Sequence, residues 1–315
     1  MSKTLSKNLN EKVPNEYPLL KDCLMYLNNN FSLYSTANNY ILNNFDDNYY
    51  LSSEELLRIM MRMTGGKEGL MKSLDSLVQV SRGMMLSQAR LKMNGKYEFS
   101  SFEEVNANFY QNKDVIIGHM DALLISQVFW PNHYKFGQFF INLSDLTNSS
   151  SKVLDIPSGD GIFSYYLSKC FSFKELHCVD ISSYCIDYTK KFLEASNLGT
   201  DKIYYMVKDV FDFSESEVYD FIVCGELLEH VENPERLLGK LKTLTNNDGR
   251  IFLTTAIFSA SEDHIYLFNN VDEVRDMINN HFVIESELIL PSSLKDYDPS
   301  MEKEAINYAC VVRVK

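Results

Sequence analysis

From Tyr17 to about Leu146, apolar residues recur every three or four positions, the spacing of helices that bury one face. Beyond Val153 the pattern changes. Short apolar runs alternate with helix-period segments, which predicts strands at Val153–Ile156, Glu175–Val179, Ile203–Val207, Phe221–Cys224 and Arg250–Thr255. Two last apolar runs, Phe282–Leu290 and Asn307–Val314, have no long helix between them and are expected to pair as an antiparallel hairpin. Strands alternating with helices predict a doubly wound α/β sheet, here preceded by a mainly helical region.

The punctuation divides the chain further. Residues 1–16 are polar and read as a flexible tail, 17–148 as a helical cap, and 149–315 as the α/β domain, with the polar cluster Thr147–Ser151 at the boundary. Within the cap, Ser52 and Glu55 stand at capping-box spacing and predict a helix start. Gly65-Gly66 then breaks the pattern, and a second helical run extends from Lys67 to about Met85. Asn94-Gly95, flanked by short alternating segments, reads as a hairpin turn. Helix, helix and hairpin together resemble the winged-helix module of many bacterial and plant small-molecule methyltransferases of natural product biosynthesis. That resemblance implies a homodimer through residues 17–100.

Composition narrows the classes. No apolar run in the 315 residues is long enough for a membrane helix, and the polar N-terminus lacks a secretory signal, so a cytoplasmic protein is expected. The six cysteines include no C-x-x-C pair and read as reduced thiols. Net charge is −13 and unevenly spread: 14 basic against 15 acidic side chains in residues 1–150, and 16 against 28 in 151–315. So acidic a second half disfavours a nucleic-acid partner, whose phosphates require basic contacts.

The first predicted strand runs into Asp155-Ile156-Pro157-Ser158-Gly159-Asp160-Gly161, a turn whose glycines admit positive φ and close ligand approach. Asp180 ends the second strand, 19 residues past Gly161, a spacing that suits a carboxylate accepting ribose hydroxyls. Asp209 ends the third. This constellation resembles the class I S-adenosylmethionine-dependent methyltransferases over residues 151–315. It implies their seven-stranded Rossmann-like sheet with a reversed C-terminal hairpin. It also implies a cofactor site in which Asp155, Pro157, Ser158, Gly159 and Gly161 hold the methionine end, Asp180 and Ile181 the ribose, and Asp209 and Val210 the adenine, with Glu226 facing the cofactor. Pro157 replaces the family's first loop glycine.

The fourth strand leads into Glu226-Leu227-Leu228-Glu229-His230, an E-x-x-E-H stretch resembling that of ubiquinone-pathway O-methyltransferases and RNA 3′-end methyltransferases. On one helical turn residues 226, 229 and 230 share a face and could hold Mg²⁺, Mn²⁺, Zn²⁺ or Fe²⁺, with His264 as a fourth ligand. The alternative is that Glu226 faces the cofactor while His230 packs or acts as a base. His264 is expected in the active site in some role, and His133 and Tyr134 near Trp130 are candidates for the acceptor pocket. His119, His177 and His281 read as ordinary histidines. The expected activity is methylation of a small molecule or short peptide, on oxygen rather than carbon or nitrogen. The rivals are a metal-dependent RNA 2′-O-methyltransferase and a non-catalytic S-adenosylmethionine-binding regulator.

Overall fold

The computed structural model describes residues 13–214, 216–300 and 303–315. Residues 1–12 of the expected tail lie outside this description, and Val13 is buried against the cap. The cap comprises α1 (Pro18–Asn30), α2 (Ser35–Asn44), α3 (Asp47–Met63), α4 (Lys67–Asn94), α5 (Phe102–Val105), α6 (Lys113–Phe129) and α7 (Pro131–Ile141).

Two local expectations in the cap are corrected. Helix α3 starts five residues before the Ser52–Glu55 pair, because the Asp46 carboxylate accepts the free N–H groups of Asn48 and Tyr49. An acceptor carrying negative charge suits the positive end of a helix dipole. Ser52 lies mid-helix, donating to the Asn48 carbonyl, and Glu55 instead receives Tyr165 and Lys169 of the α/β region. The second correction concerns Asn94-Gly95. Helix α4 continues to Asn94 and ends on Gly95 at φ +70°, whose N–H donates to the Leu91 carbonyl. The left-handed conformation that would suit a tight hairpin suits a helix C-cap equally well. No strand forms between residues 13 and 151, so the winged-helix resemblance fails at its wing.

The sheet follows the expected pattern. Strands β1 (Lys152–Asp155), β2 (Glu175–Asp180), β3 (Ile203–Val207), β4 (Tyr219–Cys224), β5 (Thr245–Ile257), β6 (Phe282–Pro291) and β7 (Ile306–Val314) stand in the order 3-2-1-4-5-7-6. The first five are parallel; β7 runs antiparallel between β5 and β6. The order in which successive strands are added reverses between β1 and β4, and a crevice opens at such a switch point.

Side chains alternate across the sheet. Val153, Cys178, Phe221 and Phe252 face one layer; Leu154, Val179, Ile222 and Leu253 face the other. The second layer is built from α10 (Pro234–Thr243) and α11 (Val271–His281). The first contains α8 (Ile162–Cys170) and α9 (Ser183–Ser196), and its apolar cluster continues into the cap without a break, from Val13 to Val311. Polar ties reinforce this joint. Tyr188 donates to Asp121 at 2.6 Å, Arg62 to the Ala195 carbonyl at 2.9 Å, and Asn132 to the carbonyls of Leu290 and Pro291. Among the described residues, no helix is long and apolar enough to cross a membrane.

Candidate active site

A cleft of about 710 Å³ opens over the carboxyl ends of the central strands and is walled on the far side by α6 and α7. One end is acidic and partly apolar. Gly159, at φ +50°, has open space where a Cβ would stand, and its N–H donates to Asp180 at 3.1 Å. The other oxygen of Asp180 accepts the Ser182 N–H at 2.9 Å. Burial pushes the Asp180 carboxyl up to about 6. Ile181, Val210 and Phe211 give this end apolar surface, and the Asp209 carboxylate is fixed by the Phe211 N–H at 2.9 Å.

Two loop residues stand behind the wall. Asp155 is fully buried and accepts the Ser164 hydroxyl at 2.5 Å; burial pushes it to about 7. At Gly161 a Cβ would stand 3.2 Å from Thr189, so this glycine lets the loop press onto α9. Pro157, Ser158 and Gly159 do line the cleft, and so does Asp160.

At the opposite end the chain assembles a ring of histidines about one carboxylate. His230 ends a short 3₁₀ turn, Leu228–His230, after β4; Asp263 and His264 lie in the loop after β5. The Nδ1–H of His230 donates to the Asp263 carbonyl at 3.0 Å, with an Asp263 carboxylate oxygen 3.5 Å away. The Nδ1–H of His264 donates to the Ser259 carbonyl at 2.8 Å. In the neutral form of either ring Nε2 is then the lone pair. They meet edge to face at 4.9 Å. Tyr110 and Ser261 donate to the Asp263 carboxylate at 3.1 and 2.7 Å. Burial alone would raise that carboxyl, but His230, His119 and His264 around it hold it well below the usual carboxylate range. Burial, then the neighbouring His230, pushes His264 down to about 4.

The two glutamates behave differently from the histidines. Glu229, His230 and His264 offer ligand atoms within 4.8 Å of one another; Glu226 is not part of that group. Glu229 is wholly buried, and its two oxygens accept the Thr255 hydroxyl at 2.7 Å and the Ala256 N–H at 3.2 Å. Burial and the charge of Glu226 push the Glu229 carboxyl well up. Its backbone carbonyl receives the N–H groups of Ile265 and Tyr266. Glu229 thus ties the β4 and β5 loops together. Both Glu229 oxygens are committed to protein donors and Glu226 stands outside the group, so among the described residues only Glu229, His230 and His264 of the expected four-residue donor set come together.

A family profile described as a methyltransferase domain matches residues 130–289. The ubiquinone biosynthesis O-methyltransferase of Glaesserella parasuis serovar 5 (strain SH0165) is 28% identical over 180 residues, covering 53% of this chain and 72% of that protein. The mitochondrial ubiquinone biosynthesis O-methyltransferase of Candida albicans is 32% identical over 111 residues, which cover 35% of this chain and 34% of that one. The chain therefore spans from about a third to about seven tenths of the length of these two relatives. A chain from the complex of the Haloferax volcanii Trm112 methyltransferase activator with a methyltransferase shares the fold, at a TM-score of 0.50 and 11% identity, covering 64% of this chain and 98% of that one. This chain belongs to the class I S-adenosylmethionine-dependent methyltransferase family.

In this methyltransferase the acidic end of the cleft fits the cofactor. Asp180 and Asp209 offer carboxylates, Ile181, Val210 and Phe211 an apolar flank, and Gly159 an unobstructed approach. Asp155 and Gly161 lie behind this wall and shape the loop. Glu226 lines the cleft at φ +49°, held by its N–H to Thr254, and one of its oxygens is buried without a partner.

His133 lies in the cleft wall, but its neighbour Tyr134 is absent from it. Successive helical side chains diverge by about 100°. Tyr134 accordingly packs on Phe45 and Tyr49 in the cap, at 4.8 and 5.0 Å. Asp160, Tyr110, Asp263 and His119 escaped the sequence reading. Of these, Asp160, inside the glycine turn, and Asp263, beside His264, carry a signal by position. His177 and His281 pair with Tyr219 and Glu235, away from the site. The cap also grips the loop that carries Asp263 and His264. The Gln88 amide donates to the Phe258 carbonyl and accepts from the Ala260 N–H, both at 2.8 Å, while Tyr97 donates to the Ser259 carbonyl at 2.7 Å.

Proposed function

We propose that this methyltransferase methylates a hydroxyl oxygen of a small, uncharged, largely apolar molecule, with His230 as general base and without a metal. The observation that carries this reading is the ionised Asp263 set against His230 within the cleft.

S-adenosylmethionine, when bound, supplies a methyl group already activated on a sulfonium. The protein's task is to align the acceptor and remove its proton. The Nε2 lone pair of His230 accepts the hydroxyl proton as the oxygen attacks. Its Nδ1–H stays on the Asp263 carbonyl, and the nearby carboxylate stabilises the resulting imidazolium. His264 is too weakly basic for this role, so it orients the acceptor through its own Nε2. We place the cap, residues 17–148, over the catalytic unit, residues 149–315, as the wall that selects the acceptor.

The lining disfavours an anionic substrate. Among the described residues only Lys208 and Arg236 bring cationic side chains to the cleft, against a larger set of acids that includes Glu103, Asp160, Asp209 and Glu232. That balance disfavours an RNA backbone as well as small anionic acceptors. The relatives that are named O-methyltransferases support oxygen as the acceptor atom.

The test is turnover of S-adenosylmethionine to S-adenosylhomocysteine against a panel of phenols, aliphatic alcohols, amines, carboxylic acids and short RNAs. Methylation of neutral hydroxyl compounds alone is expected. Methylation confined to amines or RNA would overturn the reading.

A further inference from the structure

The cleft has a third wall, at the elbow between α6 and α7. Trp130, His133 and Phe136 line it. We propose that His133 is a specificity-determining residue, a fixed hydrogen-bond acceptor that selects substrates carrying a second donor, O–H or N–H, remote from the hydroxyl that is methylated. This inference rests on the hydroxyl-methylation reading above.

The argument is one of proton counting. Ser126 has a single hydroxyl proton, and its oxygen lies 2.5 Å from the Leu123 carbonyl, which can only accept. The Ser126 oxygen also lies 2.7 Å from Nδ1 of His133. With its proton spent on Leu123, Ser126 must accept there, so Nδ1 of His133 carries the hydrogen. Nε2 is then a bare lone pair. Trp130 packs edge-on to the ring, at 4.9 Å and 78°, and fixes its plane. The Trp130 indole N–H is itself directed to Tyr34 at 3.3 Å, so the aromatic wall offers the ligand no donor from that ring. Burial pushes the imidazole down to about 4, which keeps it neutral at physiological pH.

A neutral acceptor inside an apolar wall discriminates strongly. A ligand with a donor there makes a hydrogen bond, whereas an ether of similar size leaves the lone pair desolvated and unpaired. This differs from the role of His230. His133 handles no proton during methyl transfer and acts on binding.

The experiment uses the full chain with saturating S-adenosylhomocysteine. Binding of 4,4′-dihydroxybiphenyl and of its monomethyl ether is measured by calorimetry for the native protein, His133→Phe and His133→Gln. The native protein is expected to prefer the diol by roughly 10–100-fold. The Phe variant should bring that ratio close to one, and the Gln variant, whose carbonyl can accept, should restore part of it. Nitrogen NMR of histidine-labelled protein reads the tautomer directly: a protonated Nδ1 and a bare Nε2 at His133 are expected, lost in Ser126→Ala. A protonated Nε2, an unchanged ratio in His133→Phe, or failure of both probes to bind would each overturn the proposal. Turnover separates this from the parent reading. If hydroxyl compounds are methylated while the ratio is unmoved by His133→Phe, only the selectivity role falls.

Discussion

Nδ1 of His230 lies 3.0 Å from the backbone carbonyl of Asp263 and 3.5 Å from its carboxylate, so one residue both fixes the tautomer and stands ready to balance the imidazolium. Removing either partner should therefore damage the chemical step and spare cofactor binding. In His230→Gln, kcat is expected to fall ~10²–10⁴-fold, the range for loss of a general base. Calorimetric affinity for S-adenosylhomocysteine should stay near the native value. A variant that turns over normally would exclude His230 as the base.

The cofactor end has its own pH signature. Burial raises the Asp180 carboxyl to about 6 in the free protein, and a ribose hydroxyl is accepted best by its ionised form. Cofactor affinity should then be level above pH 7 and weaken as the pH falls through 6, approaching roughly tenfold per unit. The sign for stability is the opposite. Because the folded state holds this proton more tightly than the unfolded chain, the group's contribution to folding declines as pH rises from the ordinary aspartate range through about 6. Asp180→Asn should flatten the affinity profile and weaken binding at pH 7.5. A profile unchanged by that substitution would remove Asp180 from the cofactor site.

Metal independence can be checked without knowing the acceptor in advance. Since both oxygens of Glu229 are taken up by Thr255 and Ala256, initial rates on any accepted hydroxyl compound should be the same after exhaustive chelation and after addition of Mg²⁺, Mn²⁺ or Zn²⁺. Loss of activity on chelation, restored by one of these ions, would refute this assignment.

The grip of the cap on the catalytic loop should be measurable as order. Gln88→Leu strips partners from the Phe258 carbonyl and the Ala260 N–H together. We expect a stability cost of about 1–3 kcal/mol in urea titration. Faster amide exchange should appear in residues 258–264, with a fall in kcat larger than any change in cofactor affinity. Unaltered exchange in that loop would show that it holds its shape without the cap.

Much of this molecule was legible from local pattern. Five parallel strands, the reversed hairpin and the acids Asp180 and Asp209 at strand ends follow from alternating apolar runs and from where each run stops. Asn94-Gly95 was misleading because a left-handed glycine serves a helix cap and a hairpin turn alike. The start of α3 was misplaced because Asp46 and Ser52 are both competent caps, and the packing of Tyr49 and Tyr50 into the core selects the earlier one.

What the chain's order determined by itself was the sheet, its carboxyl edge and the acids there, because strand period and turn chemistry act between near neighbours. Tertiary packing decided the rest. Tyr110, His119, His230 and Asp263 lie on four separate stretches of chain and share a site only because α6 and the segment after α5 fold back across the ends of β4 and β5. The same packing buried Glu229 and raised its carboxyl, turned Tyr134 toward the cap, and set His133 in the cleft wall. Charge state, tautomer and direction depend on neighbours brought from far along the chain, and no local spacing encodes them.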